Sequence, residues 1–414
     1  MMFENAVADD LNQVNLADPV IHVRTDMDRF WNRVRSEQPV YLHPATDAGP
    51  EFWVVSRYND ALAVYQDAET FSSGSGNNLP SLHKPGGDPA AGKMVAATDA
   101  PRHSAMRRMM LKALTPRVRE FVVDRVQARA DDLITTALER GSFDFAKDVA
   151  DHIPIGTICD LLGFPPEDHA TLLDLSREAL TPEEEGQTAE DVWLVRNELL
   201  VHCAELAEDR REDPRDDLMS VLVNTPIDGE PLTEDEVLVN CYGLILAGDH
   251  TSRLAMVGAV LNFAQRPEQW QALRNGRVSE AAAVEEILRW TTPVMHIARV
   301  ATDDVTLGGQ EVRKGDLVTV WNSSANRDEA VFDDPEAFDL GRTPNKHLSF
   351  GYGPHFCFGS YLGRAEVAAV LNTLCRTVDS FELAGDPKRL YSSFLQGYSS
   401  LPISCAPSHA RAAR

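Results

Sequence analysis

The sequence is short of positive charge, of paired cysteine and of long apolar runs, and each shortage removes a class of function. Lys and Arg number 39 against 64 Asp and Glu, a net charge of −25, so nucleic acid and an anionic membrane surface are excluded as general partners. Only a local basic patch is left to meet an acidic protein. The six cysteines, Cys159, Cys203, Cys241, Cys357, Cys375 and Cys405, are scattered without a C-x-x-C pair or zinc-like spacing, which argues against a disulfide framework and a structural zinc. No stretch approaches the ~18 consecutive apolar residues that a membrane span needs. The polar, acidic start from Met1 to Pro19 carries no secretory pattern, and no flavin or nicotinamide fingerprint follows. The expectation is a soluble, cytoplasmic chain in a reducing compartment, with no membrane and no nucleic acid as partner.

What is present begins with core material: 43% hydrophobic residues over 414 positions, enough for a large interior and, by length alone, for two or three domains. The most distinctive stretch is Phe350-Gly351-Tyr352-Gly353-Pro354-His355-Phe356-Cys357-Phe358-Gly359, which runs into the helical pattern Ser360 to Glu366. Its glycines and Pro354 forbid regular structure and permit a tight turn, and Gly359 lets a flat ligand or a neighbouring backbone come close. Cys357 is thus delivered to a helix N-terminus, where unpaired N–H groups and the helix dipole favour thiolate over thiol. A lone thiolate suits one axial bond to haem iron. Taken alone, a cysteine in an apolar loop is more often a small buried hydrophobe.

Upstream, Thr233-Glu234-Asp235-Glu236 is a capping box opening the most apolar helix of the chain. In its middle stands Ala247-Gly248-Asp249-His250-Thr251. Gly248 costs such a helix about 1 kcal/mol against Ala, and Thr251 can divert a hydrogen bond from the helical ladder. Either a close helix crossing or function offsets that cost. The functional reading is that Ala247 and Gly248 make room for a macrocycle and a diatomic ligand, while Asp249 and Thr251 relay protons. His103 and Arg107 share a helix face four residues apart. Glu286 and Arg289 do so three apart.

Together these motifs resemble the cytochrome P-450 family. Phe-x-x-Gly-x-His-x-Cys-x-Gly from Phe350 to Gly359 is similar to its haem loop, Ala247 to Thr251 to its oxygen-activation signature with the acid shifted to Asp249, and Glu286-x-x-Arg289 to its helix hallmark. The resemblance implies a mainly α fold with small β-sheets, in which haem lies between the central helix and the cysteine loop. One domain over residues 19–406 is expected, with a mobile tail over 1–18 and a disordered one over 407–414.

The resemblance further implies haem b, ligated by Cys357 and contacted by Ala247, Gly248, Phe350, Gly351, His355 and Gly359, with propionates on His103, Arg107 and Arg299. Arg342 joins Glu286 and Arg289 in a structural lock. Phe71 to Gly92, rich in Gly, Ser, Asn and Pro, becomes a substrate lid or a solvated linker. Leu79, Leu244, Val294, Met295, His296, Phe394 and Leu395 are the expected pocket residues, although His296 is also readable as an ordinary satisfied histidine. The implied reaction is monooxygenation with O2, a ferredoxin and a ferredoxin reductase supplying electrons, and Arg108 and Lys112 forming a docking patch. The substrate would be a small organic molecule of secondary metabolism, a polyketide, terpenoid or peptide, free or held on a carrier protein. Hydroxylation, epoxidation, oxidative coupling and nitration all suit the motifs. The alternative is a haem-thiolate protein that binds or isomerises a ligand without activating O2.

Overall fold

The computed structural model describes residues 11–24, 27–47, 49–83, 87–180 and 189–408. Its organising element is the central helix Glu234–Gln265. Thr233 Oγ1 accepts the Glu236 N–H at 3.3 Å and the Glu236 carboxylate accepts the Thr233 N–H at 2.9 Å, closing the capping box. Three acidic residues in the first turn complement the helix dipole. Every position from Ser252 to Phe263 is buried, because neighbours cover the helix on all sides. By length and mean hydropathy this helix is apolar enough to cross a membrane, although charged residues interrupt its apolar runs. However, 72% of its most apolar window is buried within the fold, as in a core helix.

Around it pack the helices His152–Leu162, His169–Leu180, Ala189–Glu212 and Glu280–Thr291, together with the cysteine helix Ser360–Thr377, which also packs on Pro116–Leu138. One apolar cluster draws residues from Met106 to Ile403. The fold is mainly helical with small sheets, as the sequence implies. The largest sheet has five strands in the order Val40–His43, Phe52–Val55, Leu317–Trp321, His296–Ala301 and Phe71–Ser72. Its pairings are antiparallel except between Phe52–Val55 and Leu317–Trp321.

A polar lock joins the Glu-x-x-Arg helix to the irregular meander before the cysteine loop. Arg289 holds both Glu286 oxygens at 2.8 Å and donates to Asn326 O, Pro335 O and Ala337 O. Arg342 Nε reaches Glu286 at 3.1 Å, and Asn345 and the Asp339 N–H complete the carboxylate's partners. Glu286 and Arg289 are fully buried, so removing one partner would leave an uncompensated charge, at a cost of about 3–5 kcal/mol.

Those residues of the expected tails that are described are packed against the fold. Leu11, Val14 and Leu16 are buried against Trp31, Phe52 and Trp321, and the Leu16 N–H donates to His43 Nε2 at 3.2 Å; apolar spacing in this segment finds a partner surface. At the other end, Pro407 pairs with Val378 and the Ser408 N–H donates to Thr377 O. Residues 1–10, the Glu183 to Glu185 run and residues 409–414 lie outside the described residues.

Candidate functional site

The cysteine loop is shaped by backbone demands. Gly353 has φ +71°, and a Cβ there would lie 2.4 Å from Tyr65 O, so no larger residue fits. The Cys357 N–H donates to Phe350 O at 2.9 Å, closing the loop on itself. Phe350 is covered by the Arg364 guanidinium, 4.5 Å from the ring centroid. Arg364 in turn grips Glu285 at 2.6 and 2.9 Å, and His347 reaches the same carboxylate at 3.1 Å. Burial works to raise the Glu285 carboxyl, but Arg364 and His347 hold it down at about 2. Two consecutive glutamates therefore do different work: Glu286 fixes the meander, and Glu285 fixes the cysteine helix. Sequence reading found only the first.

At the sulfur, burial pushes the Cys357 thiol above its ordinary value, against the pull of the Gly359 N–H and the Arg107 and Arg364 charges. The N–H at the helix end favours the thiolate, as the sequence leads one to expect, but burial outweighs it. Bonding to a metal cation would reverse that balance, since a coordinating thiol gives up its proton. A Cβ placed on Gly359 would meet no protein atom within 4 Å, which leaves the room a flat ligand needs.

Four basic side chains converge beside this loop. His103 and Arg107, on the helix Arg102–Leu111, lie within electrostatic reach of Arg299 and His355. The His103 and His355 rings stack at 4.0 Å. Burial lowers Arg107 and Arg299 from their ordinary values, and burial with the neighbouring cations brings His355 to about 3. Arg299 is buried and its hydrogen bond is to Ala298 O at 2.8 Å. Among the described residues no carboxylate forms an ion pair with His103, Arg107 or Arg299, in a chain with 64 acidic residues. Asp99 lies within electrostatic reach of His103 and Arg299, but its carboxylate is bonded to Ser72 and to the Ser73 and Gly74 N–H groups. Buried Arg299 and half-buried Arg107 therefore have the charge to take an anionic ligand.

The central helix presents two unlike faces at this level. Ala247 is exposed in the middle of a core helix. Thr251 follows one turn later, its hydroxyl donating back to Ala247 O at 3.2 Å. This face borders open space. Asp249 lies on the other side, since two residues turn a helix by about 200°. It is buried, accepts from Ser176 Oγ at 2.8 Å, and has Asp151, Arg177 and Arg253 around it. The expected pairing of Asp249 with Thr251 is therefore corrected: the structure does not bring them together. Burial, relieved by Ser176 and Arg253, pushes Asp249 up to about 7. Burial and Arg253 push the neighbouring His250 down to about 3, so it is neutral. Gly248 likewise turns from the open face: a Cβ there would lie 3.2 Å from Ile158 of the helix His152–Leu162, the close helix crossing rather than cofactor room.

Sequence reading missed Glu366 on the cysteine helix. It is buried among the hydroxyls of Ser252 and Thr157 and pushed by burial up to about 7, although Ser252 Oγ meets no partner at full hydrogen-bonding geometry. The available signal was an acid in the apolar run Ala365-Glu366-Val367.

The expected pocket residues divide in two. Leu244, Val294 and Phe394 are half-buried and so partly open. Leu79 and Met295 are instead core, packed in the cluster with Trp31 and Trp321, and Leu395 packs on Leu254 and Leu390. His296 is fully buried, accepts the Leu79 N–H at 3.3 Å and sits 4.7 Å from the Trp321 ring. Burial brings it to about 3. It ties the loop to the sheet.

The comparisons agree with this geometry. The cytochrome P450 family model matches residues 281–395. Cytochrome P450 NovI of Streptomyces niveus is 44% identical over 394 residues, 95% of this chain and 97% of the relative. Linalool 8-monooxygenase of Pseudomonas putida is 31% identical over 96% of this chain and 100% of its own length. Among solved structures, P450 OxyD, involved in the biosynthesis of vancomycin-type antibiotics, superposes with a TM-score of 0.87 at 33% identity, covering 95% of this chain and 100% of that one. The Bacillus subtilis bacillaene polyketide synthase cytochrome P450 PksS gives 0.85 at 28%, over 95% and 100%. With Cys357, the unpaired cations and the open Ala247 to Thr251 face on one framework, the chain belongs to the cytochrome P450 family of haem-thiolate monooxygenases.

Proposed function

We propose that this protein hydroxylates, or oxidises by a related insertion or coupling, a small organic substrate in bacterial secondary metabolism. The observation that carries the reading is the full-length likeness to OxyD at 33% identity, which belongs to antibiotic biosynthesis, with PksS beside it. A polyketide, terpenoid or peptide substrate, free or presented on a carrier protein, is the class this supports.

Haem b, held by Cys357, would supply O2 activation and oxygen transfer. The chain's own residues position it and handle protons. His103, Arg107, Arg299 and His355 would hold its acidic edge. Ala247 would leave the group room, and the Thr251 hydroxyl stands on the same helix face as a proton donor whose own partner is Ala247 O. Asp249 is too far around the helix to hand a proton directly to Thr251. With Glu366 it forms a buried acidic pair, both at about 7. Val294 and Phe394 offer the substrate an apolar wall.

Electrons come from outside the chain, and a ferredoxin with its reductase is the proposed donor. Arg108 and Lys112 are exposed beside the helix that bears Arg107, and Tyr352 and Tyr361 are exposed at the cysteine loop. Together they offer an acidic redox protein a basic and aromatic surface. A reducing cytoplasm as the seat of the reaction is supported by six unpaired cysteines.

The test is a Soret titration of the ferric protein with candidate substrates, each free and as a carrier-protein thioester. A high-spin shift with the thioester alone makes the substrate carrier-bound, and a shift with the free acid or alcohol makes it free. No shift with any polyketide, terpenoid or aminoacyl compound would overturn the secondary-metabolite reading.

A further inference from the structure

Gly243, Ala247 and Thr251 are spaced four apart and therefore stack along one face of the central helix. Ala247 and Thr251 border the open space, but the end at Gly243 is closed by a residue from another element. A Cβ built on Gly243 would lie 2.3 Å from Met94 Sδ, 3.4 Å from its Cγ and 3.9 Å from its Cε. The thioether of Met94 occupies the place of a side chain at position 243.

The backbone on either side of Met94 is fixed to the same helix. The Val95 N–H donates to Asn240 Oδ1 at 2.9 Å, and Asn240 Nδ2 donates to Lys93 O at 2.9 Å. Thr98 Oγ1 closes the turn on Met94 O at 2.7 Å, and Asn240 is itself buried. A rigid backbone thus presents one unbranched side chain with three rotatable bonds, itself half-buried. Glycine at 243 costs the helix about 1 kcal/mol against alanine; admitting Met94 is what that cost provides.

We infer that Met94, seated on Gly243, is a specificity-determining plug that sets how large a group fits beside Ala247 and Thr251. The ligand class follows from the chemistry at this end. Thioether sulfur and the half-buried Leu244, next to Gly243 on the helix, favour an aromatic or apolar group, and sulfur makes favourable contacts with ring edges. This rests on the reading of the Ala247 to Thr251 face as the oxygen-activating side of the haem site.

The experiment uses the ferric holoprotein and two iron-binding probes, imidazole and phenylimidazole, titrated by their Soret shift. Met94→Ala removes three heavy atoms from the plug, and is expected to tighten phenylimidazole about tenfold relative to imidazole. Imidazole itself, too small to reach the plug, should change less than twofold. Gly243→Ala displaces Met94 and should alter the phenylimidazole affinity only while Met94 is present, so the double variant should bind like Met94→Ala alone. An unchanged ratio in Met94→Ala would overturn the inference, and that variant decides alone if Gly243→Ala does not fold. Loss of the red-shifted carbon monoxide band in the wild-type protein would instead sink the haem reading beneath it.

Discussion

The two faces of the central helix differ more than any two parts of the site, although they are separated by two residues. Ala247 and Thr251 look onto open space, with a hydroxyl bonded to its own helix. Asp249, Ser252 and Arg253 look into packed protein, where Ser176, Asp151, Arg177 and Glu366 surround them. The open face handles ligand; the packed face holds the adjoining helices onto the core. A helix passing through a protein thus serves chemistry on one side and stability on the other, and a substitution should perturb one without the other.

The largest effect is expected on the packed face. Asp151 joins Arg253 at 2.9 Å and also Arg177, so Asp151→Ala leaves two cations without their shared carboxylate. A loss of about 3 kcal/mol is expected, measured by denaturant unfolding of the holoprotein, with the coupling of reductant to product preserved in whatever remains folded. Uncoupling as severe as the loss of stability would erase the distinction between the faces.

Thr251→Ala is the complementary break. Stability should change by less than about 1 kcal/mol, because the hydroxyl is bonded only to the backbone carbonyl of its own helix. Product per electron should fall about tenfold or more, with peroxide released in its place, since a positioned proton donor contributes on the order of a hundredfold to such steps. Coupling at the wild-type level would move the proton relay to other groups.

Asp249→Asn sharpens the comparison with the smallest effect. The Asp249 carboxyl rises from 3.8 to about 7 on folding, so the folded state binds the proton more tightly than the unfolded one. Wild-type stability from this group therefore declines as pH rises from about 4 to 7, and the cost of the buried charge is complete above that. Asn removes the titration. The variant should melt a few degrees above wild type at pH 8 and close to it at pH 4. Glu366 gives a slope of the same sign, and because the Asp249 charge helps to raise its carboxyl, the variant relieves part of that slope too and the difference at pH 8 widens in the same direction. A variant that melts below wild type at pH 8 would show Asp249 to be held ionised by Arg253 and Arg177.

Elements that depend on short-range pattern were legible in the sequence. The capping box at Thr233 and the cysteine loop appear where their residues demand them, because caps and turns are decided within a few positions. The convergence of His103, Arg107, Arg299 and His355 came through resemblance; no local rule joins positions so far apart. What pattern could not give was direction. An acid and an alcohol two residues apart read as a pair, but the helical period separates Asp249 from Thr251, and Gly248 turns to Ile158. Leu79 and Met295 read as pocket through the resemblance, whereas Trp31 and Trp321 draw them into the core. Met94 and Glu366 were invisible for the opposite reason: each acts through a contact with a distant helix.

The most direct test of the central claim, that Cys357 is the thiolate ligand of a haem facing the Ala247 to Thr251 surface, is the reduced carbon monoxide difference spectrum of the purified protein. A Soret band shifted strongly to the red, and absent from Cys357→Ala, is the predicted result. An unshifted haem band in the wild type, or the shifted band surviving in Cys357→Ala, would contradict it.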